Sequence, residues 1–317
     1  MNIFITGIAG MIGFHVTKLL TNKKYNVIGV DNFNDYYDVE LKKERSRILA
    51  EANVEIINSD IRNIKEKDWE KLFNNVDLVL HLAAYANPRH SLDNEQLYID
   101  NNITGTHKLI KAIEKNNINK VVYASSSCVM HGQNLPWNEK DDPKHQNNPY
   151  GWTKRVNECQ FLSSNIKQSI GLRFFTVYGP YGRPDMALFS FTKNIINGEK
   201  IKLYNYGDMK RDFTYIDDII SGISLVIDKL KNENSKYHEI YNIGYGQQVK
   251  LQDFVYEIEK NLGRKAEKEL CESHPADTPV TWADITKIKS LGYNPKTSIK
   301  DGVEKFISWY KDYYKVN

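Results

Sequence analysis

Short apolar runs rich in β-branched residues recur along the first 175 residues of the chain, at Asn2–Ile5, Val27–Val30, Val54–Asn58, Leu78–Leu82, Val121–Ala124 and Leu172–Phe175. Each reads as a buried strand. Between them apolar residues return at helical spacing, which predicts helices near Met11–Leu20, Leu41–Glu51, Trp69–Phe73, Glu95–Glu114 and Trp152–Asn165. Strand and helix in alternation give parallel strands with crossover helices on both faces, an α/β doubly wound sheet. From about Val177 the alternation gives way to helical stretches at Leu188–Asn197, Leu251–Leu262 and Ile299–Tyr314. One strand among them, Ile240–Ile243, is expected to return to the main sheet. The expected division is a sheet domain over 1–176 and a smaller α/β lobe over 177–317.

The first strand runs into Gly7, Gly10 and Gly13, and a helix opens at Met11 and Ile12. Strand, glycine turn and helix in that order make a Rossmann-type dinucleotide unit. Gly7 permits the tight turn, Gly10 admits backbone close to a pyrophosphate, and Gly13 lets helix pack on strand. The diphosphate sits on unpaired N–H groups at the helix N-terminus, where the macrodipole favours negative charge. Spaced glycines alone also fit a plain loop. The second strand, however, ends in Asp31, 24 residues past Gly7. An acid there accepts hydrogen bonds from ribose hydroxyls and repels a 2′-phosphate, which selects NAD over NADP.

In such a sheet ligands collect at the carboxyl ends of the strands. Asp60 and Ile61 follow the third strand, where Asp60 could take an adenine amino group or simply close a solvated turn. His81 ends the fourth and reads as a buried, hydrogen-bonded histidine. Leu82, Ala83 and Ala84 after it are small enough to let a cofactor lie against backbone. The fifth strand ends in Ser125, Ser126 and Ser127, and 24 residues after Ser126 comes Tyr150-Gly-Trp-Thr-Lys154. Tyr and Lys four apart share one helix face. An ammonium beside a phenol lowers its pKa, and a neighbouring serine can share the substrate proton. Such a trio removes a proton from a sugar hydroxyl while hydride leaves the same carbon for nicotinamide.

Composition narrows this further. Across 317 residues, 43 Lys and Arg stand against 40 Asp and Glu, with no basic block, which argues against a nucleic-acid surface. Cys128, Cys159 and Cys271 have no paired spacing, so neither a disulfide framework nor a metal site is expected. No signal-peptide layout and no stretch of transmembrane length appears. The expectation is a cytoplasmic protein.

The glycine turn, Asp31, the serine run and Tyr150-x-x-x-Lys154 resemble the extended short-chain dehydrogenases/reductases. Asp31-Asn-Phe-Asn-Asp-Tyr-Tyr-Asp38, Leu172 to Met186 and Tyr204 to Asp218 are similar in detail to the UDP-glucuronate 4-epimerases. That resemblance covers nearly the whole chain and implies NAD-dependent 4-epimerisation of a UDP-uronic acid by a homodimer. It implies Tyr150 as base, Lys154 as its partner, and Ser126 (or Ser127) as the bridging hydroxyl. It adds Asn32, Asn101 and Ser125 to the cofactor contacts. Thr176 and Arg183 would hold the sugar and its carboxylate, Arg211 the diphosphate and Asp277 the UDP ribose. Arg89 would stand beside the substrate. The homodimer would form through the helices carrying Tyr150 and Asn101.

The chain departs from the family at Cys128-Val-Met-His-Gly132, where Ser-Val-Tyr-Gly is usual. His131 there reads as a substrate contact or a surface loop residue. The nearest rival functions are a UDP-glucuronate decarboxylase and another UDP-hexose 4-epimerase. A 4,6-dehydratase is disfavoured because Cys128 and Val129 stand where an acid pair is expected. The rival from another class is a nucleotide-sugar-binding protein without turnover, against which the intact Tyr150 and Lys154 weigh.

Overall fold

The computed structural model describes residues 1–232 and 235–316. Its core is a seven-stranded, all-parallel sheet. Six strands come from the first part of the chain: β1 (Asn2–Thr6), β2 (Asn26–Asp31), β3 (Glu55–Asn58), β4 (Leu78–His81), β5 (Lys120–Ser126) and β6 (Gln168–Phe174). Their order is β6-β5-β4-β1-β2-β3. The seventh, Tyr237–Ile243, lies parallel on the free edge of β6, so the returning strand is longer than Ile240–Ile243. The order reverses at β1, and the switch point there opens the cleft.

Helices α1 (Met11–Asn22), α2 (Val39–Glu51), α3 (Glu66–Leu72), α4 (Pro88–Asp93), α5 (Glu95–Tyr98), α6 (Gly105–Lys115) and α7 (Pro149–Leu162) connect these strands. β1, β4 and β5 are apolar throughout their centres because helices cover both faces, one core cluster lying on each side. Glu95–Glu114, expected as one helix, is broken. Ile99–Thr104 between α5 and α6 winds as a π-turn.

Beyond β6 the chain forms α8 (Ala187–Asn197), α9 (Ile216–Asn232), α10 (Leu251–Leu262) and a C-terminal helix, Ile299–Tyr314. Sequence reading passed over α9. Its Ile216, Ile219, Ile223, Val226, Ile227 and Leu230 are all buried and recur at helical spacing, but β-branched residues and Gly222 give the stretch low helix propensity. Packing against α1 overrides that. Among the described residues no helix is long and apolar enough to cross a membrane.

Candidate active site

One cleft of about 640 Å³ runs across the carboxyl ends of the strands, within the range of small-molecule and cofactor sites. Every site residue expected from the sequence lines it, from Gly7 at one end to Asp277 at the other.

The dinucleotide end is built by backbone. Gly7 has φ +72°, and a Cβ on it would lie 2.7 Å from the Ala83 nitrogen. A Cβ on Gly13 would lie 2.3 Å from the Gly7 carbonyl oxygen, so helix and turn touch only because Gly13 lacks one. Gly10 is the N-cap of α1 and carries no side-chain cap, which leaves the first helical N–H groups to a ligand anion. Asp31 accepts hydrogen bonds from the N–H groups of Ala9 and Phe33, both at 3.0 Å. Burial pushes its carboxyl above the usual range, and those N–H donors and the Lys42 charge offset this only in part. These features fit a dinucleotide. Asp31→Asn should weaken NAD binding about tenfold, one charge-assisted hydrogen bond, measured by titration of the purified protein. An unchanged affinity would remove Asp31 from the ribose site.

Of the two readings of Asp60, its contacts fit the turn. Burial opposes its ionisation, but Arg62 and Asn32 together outweigh that and hold it at about 2. Its oxygens accept the Arg62 backbone N–H (2.8 Å), the Arg62 guanidinium (2.8 and 2.9 Å) and Asn32 Nδ2 (2.9 Å). Four donors leave little acceptor capacity for an adenine amino group. His81 is buried and shares hydrogen bonds with Thr6 (2.7 Å) and Thr106 (2.9 Å). Burial brings it to about 3, so it stays neutral.

At the centre of the cleft, α7 starts at an Asn148 cap and a first-turn Pro149, which sets Tyr150 over the end of β5. Ser126, whose hydroxyl accepts the Cys128 N–H at 3.1 Å, lines the cleft with Tyr150 and pulls its phenol down. Ser125 is turned away: its hydroxyl donates to Glu158 at 2.6 Å. Lys154 lines the cleft with Tyr150 and is anchored on β5. Its ammonium donates to the Ala124 carbonyl at 3.0 Å, and burial brings it down to about 8. The largest influences on the phenol are other groups. Burial and the Cys128 thiol push Tyr150 above the ordinary tyrosine value, while Ser126 and the Arg183 charge pull only weakly the other way.

Beneath these groups Glu158 and Arg173, both 2 % exposed, form a two-pronged pair at 2.8 and 2.9 Å. Glu158 also takes Ser125 and Arg155, so it pins α7 to the ends of β5 and β6. Glu158→Ala leaves a buried guanidinium unpaired and should cost about 3–5 kcal/mol, read from denaturant unfolding. A loss below 1 kcal/mol, the range of a surface pair, would contradict this.

The π-turn places adjacent asparagines in different environments. Asn101 lines the cleft, with Nδ2 on the Leu97 carbonyl at 2.8 Å. Asn102 is buried and accepts the Tyr85 N–H (2.9 Å) while donating to the Tyr85 carbonyl and to Thr153, each at 3.0 Å. It stands in for a neighbouring strand, joining the loop after β4 to α7. Sequence reading missed it.

Toward the far end, Arg89 and Asp277 pair with each other at 3.1 and 2.7 Å, and the guanidinium lies 3.7 Å from the Tyr204 ring centre. Expected as separate substrate contacts, they form a bridge between the two halves of the chain. Arg211 is held by the Lys210 and Pro279 carbonyls, each at 3.0 Å. His131 is not among the residues lining the cleft, but it contacts Thr278 at 2.9 Å, which ties the divergent turn to the cleft-lining segment that carries Asp277. Thr176 and Arg183 both line the cleft. Arg183 donates through Nε to Asp185 (3.0 Å) and through Nη1 to the Ala86 carbonyl (2.7 Å).

A dinucleotide cradle with a serine, a tyrosine and a lysine on its floor defines an enzyme of the short-chain dehydrogenase/reductase class. The model of the NAD dependent epimerase/dehydratase family matches residues 3–244, and the chain belongs to that family. A UDP-glucuronate 4-epimerase of Thermodesulfobacterium geofontis is 38% identical, over 97% of this chain and 95% of its own. UDP-glucuronate 4-epimerase 4 of Arabidopsis thaliana is 36% identical, over 99% of this chain and 76% of its own. The crystal structure of UDP-glucuronic acid 4-epimerase from Bacillus cereus, in complex with UDP-glucuronic acid and NAD, superposes with a TM-score of 0.91 at 34% identity, covering 99% and 100% of the two chains.

Proposed function

We propose that this chain is a UDP-glucuronate 4-epimerase, interconverting UDP-glucuronate and UDP-galacturonate. As a member of an NAD-dependent family it takes NAD. The observation that carries the substrate is Arg183. It sits on the wall of the same cleft as Tyr150, Ser126 and Lys154, with one N–H left over on each terminal nitrogen. A guanidinium so placed suits a planar carboxylate.

Bound NAD supplies a reversible hydride acceptor for the sugar C4 and a positive charge on its nicotinamide ring. Tyr150 takes the C4 hydroxyl proton, with Ser126 bridging to the substrate oxygen, and returns it after the 4-keto sugar has turned over about its diphosphate link. Lys154 holds a ribose hydroxyl of the cofactor and keeps positive charge near the phenol. Arg211 takes the diphosphate and Asp277, braced by Arg89, the uridine ribose. The cofactor belongs to residues 1–176 and the UDP-sugar chiefly to 177–317. α9 and Tyr237–Ile243, though later in the chain, serve the first unit. Leu162, 64% exposed on α7, supports a homodimer through that helix, and the free thiols suit the cytoplasm.

Incubation with NAD and UDP-glucuronate, followed by chromatography of the nucleotide sugars, tests this. UDP-galacturonate is the expected product. A pentose nucleotide with carbon dioxide would make it a decarboxylase, and no product from any UDP-sugar would leave a binding protein.

A further inference from the structure

The loop from β2 to α2 begins at the ribose acid and ends on the sugar side of the cleft. A run of side-chain-to-backbone turns shapes it: Asp31 accepts the Phe33 N–H (3.0 Å), Asn32 the Asn34 N–H (3.2 Å) and Asn34 the Tyr36 N–H (3.2 Å). Lys42, reaching back from α2, clamps Asn34 through its carbonyl (2.5 Å) and side chain (2.9 Å). Tyr36 is delivered at the end of this path. Its hydroxyl donates to Asp185 at 3.0 Å, and its ring lies edge-on to His90 and Tyr85.

Asp185 is the meeting point. It also accepts Asn87 Nδ2 at 2.8 Å and the Nε and Nη2 of Arg183 at 3.0 and 2.5 Å. Burial opposes its ionisation, but the Arg183 charge and these donors outweigh that and hold it below the usual carboxylate range. An ionised Asp185 fixed by Tyr36 and Asn87 sets the plane of the guanidinium, and the Ala86 carbonyl sets its tilt. None of the three segments fixes Arg183 alone.

We propose that Tyr36 is a positioning residue that, through Asp185, holds Arg183 so that the 4-keto uronate is epimerised rather than decarboxylated. The proposal rests on the functional reading above. In that intermediate the C5–C6 bond can break, its electron pair entering the C4 carbonyl to give an enolate as carbon dioxide leaves. Water then supplies a proton to C5, and return to C4 of the hydride first removed from it, with the proton held by Tyr150, gives the UDP-pentose. The bond breaks readily only when it is perpendicular to the carbonyl plane, a torsion the carboxylate grip controls. Because Tyr36 belongs to the loop that starts at Asp31, the cofactor's ribose site and the carboxylate grip share one piece of backbone.

Tyr36→Phe keeps the ring and removes one hydrogen bond to a charged acceptor. The UDP-pentose fraction of the product should rise about tenfold, with NAD affinity unchanged and Tm lowered by no more than a few degrees. Asp185→Asn should move the same ratio the same way, because it acts on the same arginine. An unchanged partition in Tyr36→Phe, while wild type makes UDP-galacturonate, overturns the proposal. So does a change in Tyr36→Phe that Asp185→Asn does not share, which would mean direct contact with the sugar. Should wild type make no UDP-galacturonate, the functional reading fails instead. Calorimetric Kd values still decide the positioning role then: Tyr36→Phe should cut the preference for UDP-glucuronate over UDP-glucose about tenfold, and an unchanged preference refutes it.

Discussion

Tyr150→Phe should lower turnover of UDP-glucuronate by roughly a thousandfold, the middle of what a positioned acid–base group contributes, and leave the fold and NAD binding intact. The ring stays packed edge-on to Tyr98, and the backbone N–H of residue 150 keeps its bond to Ser91 (3.1 Å). Only the hydroxyl beside Ser126 is lost. Steady-state rates and a melting curve with and without NAD check this, and a rate near wild type would exclude the base. The electrostatics add a second readout. Without cofactor, burial brings Lys154 to about 8 and pushes the phenol up, so rising pH discharges the lysine before the tyrosine ionises. Positive charge brought in with NAD favours the phenolate and opposes the ammonium. Tyrosinate absorbance assigned to Tyr150, by difference from Tyr150→Phe, should therefore appear at lower pH in the NAD-loaded protein. No such displacement would mean that the phenol is activated some other way.

What the sequence made legible was local. Gly7, Gly10 and Gly13 lie within one turn, Asp31 closes the next strand, and Tyr150 and Lys154 are one helical turn apart. Spacing sufficed to place them in one cleft. Spacing could not say where each side chain points. Lys154 shares the face of Tyr150 yet donates to β5, because a buried ammonium takes the nearest strong acceptor. Arg89 with Asp277, Arg183 with Ala86 and Tyr36 with Asp185 are joined across 188, 97 and 149 residues, and no window holds both partners. The π-turn was illegible for a different reason. Its apolar period matches an ordinary helix, and the irregularity comes from α7, whose Asn157 and Gln160 donate to the Asn102 and Ile103 carbonyls at 2.7 and 3.2 Å.

Arg183→Ala should lower kcat/KM for UDP-glucuronate about a hundredfold, the scale of a charge-assisted contact plus its lost partner, and change binding of UDP-glucose only a few-fold. The asymmetry follows from charge. A neutral sugar loses one polar neighbour, whereas a uronate loses its counterion and meets Asp185, which the same substitution strips of its partner. The single variant thus mixes a lost attraction with a new repulsion. Adding Asp185→Asn separates them: the double variant removes the stranded carboxylate and should recover part of the loss, about tenfold for one buried charge contact. Equal losses on both sugars in the single variant would refute the carboxylate role of Arg183. If the double variant were no better than the single one, Asp185 would exert no repulsion on the bound uronate, and its negative charge would matter only for aligning the guanidinium.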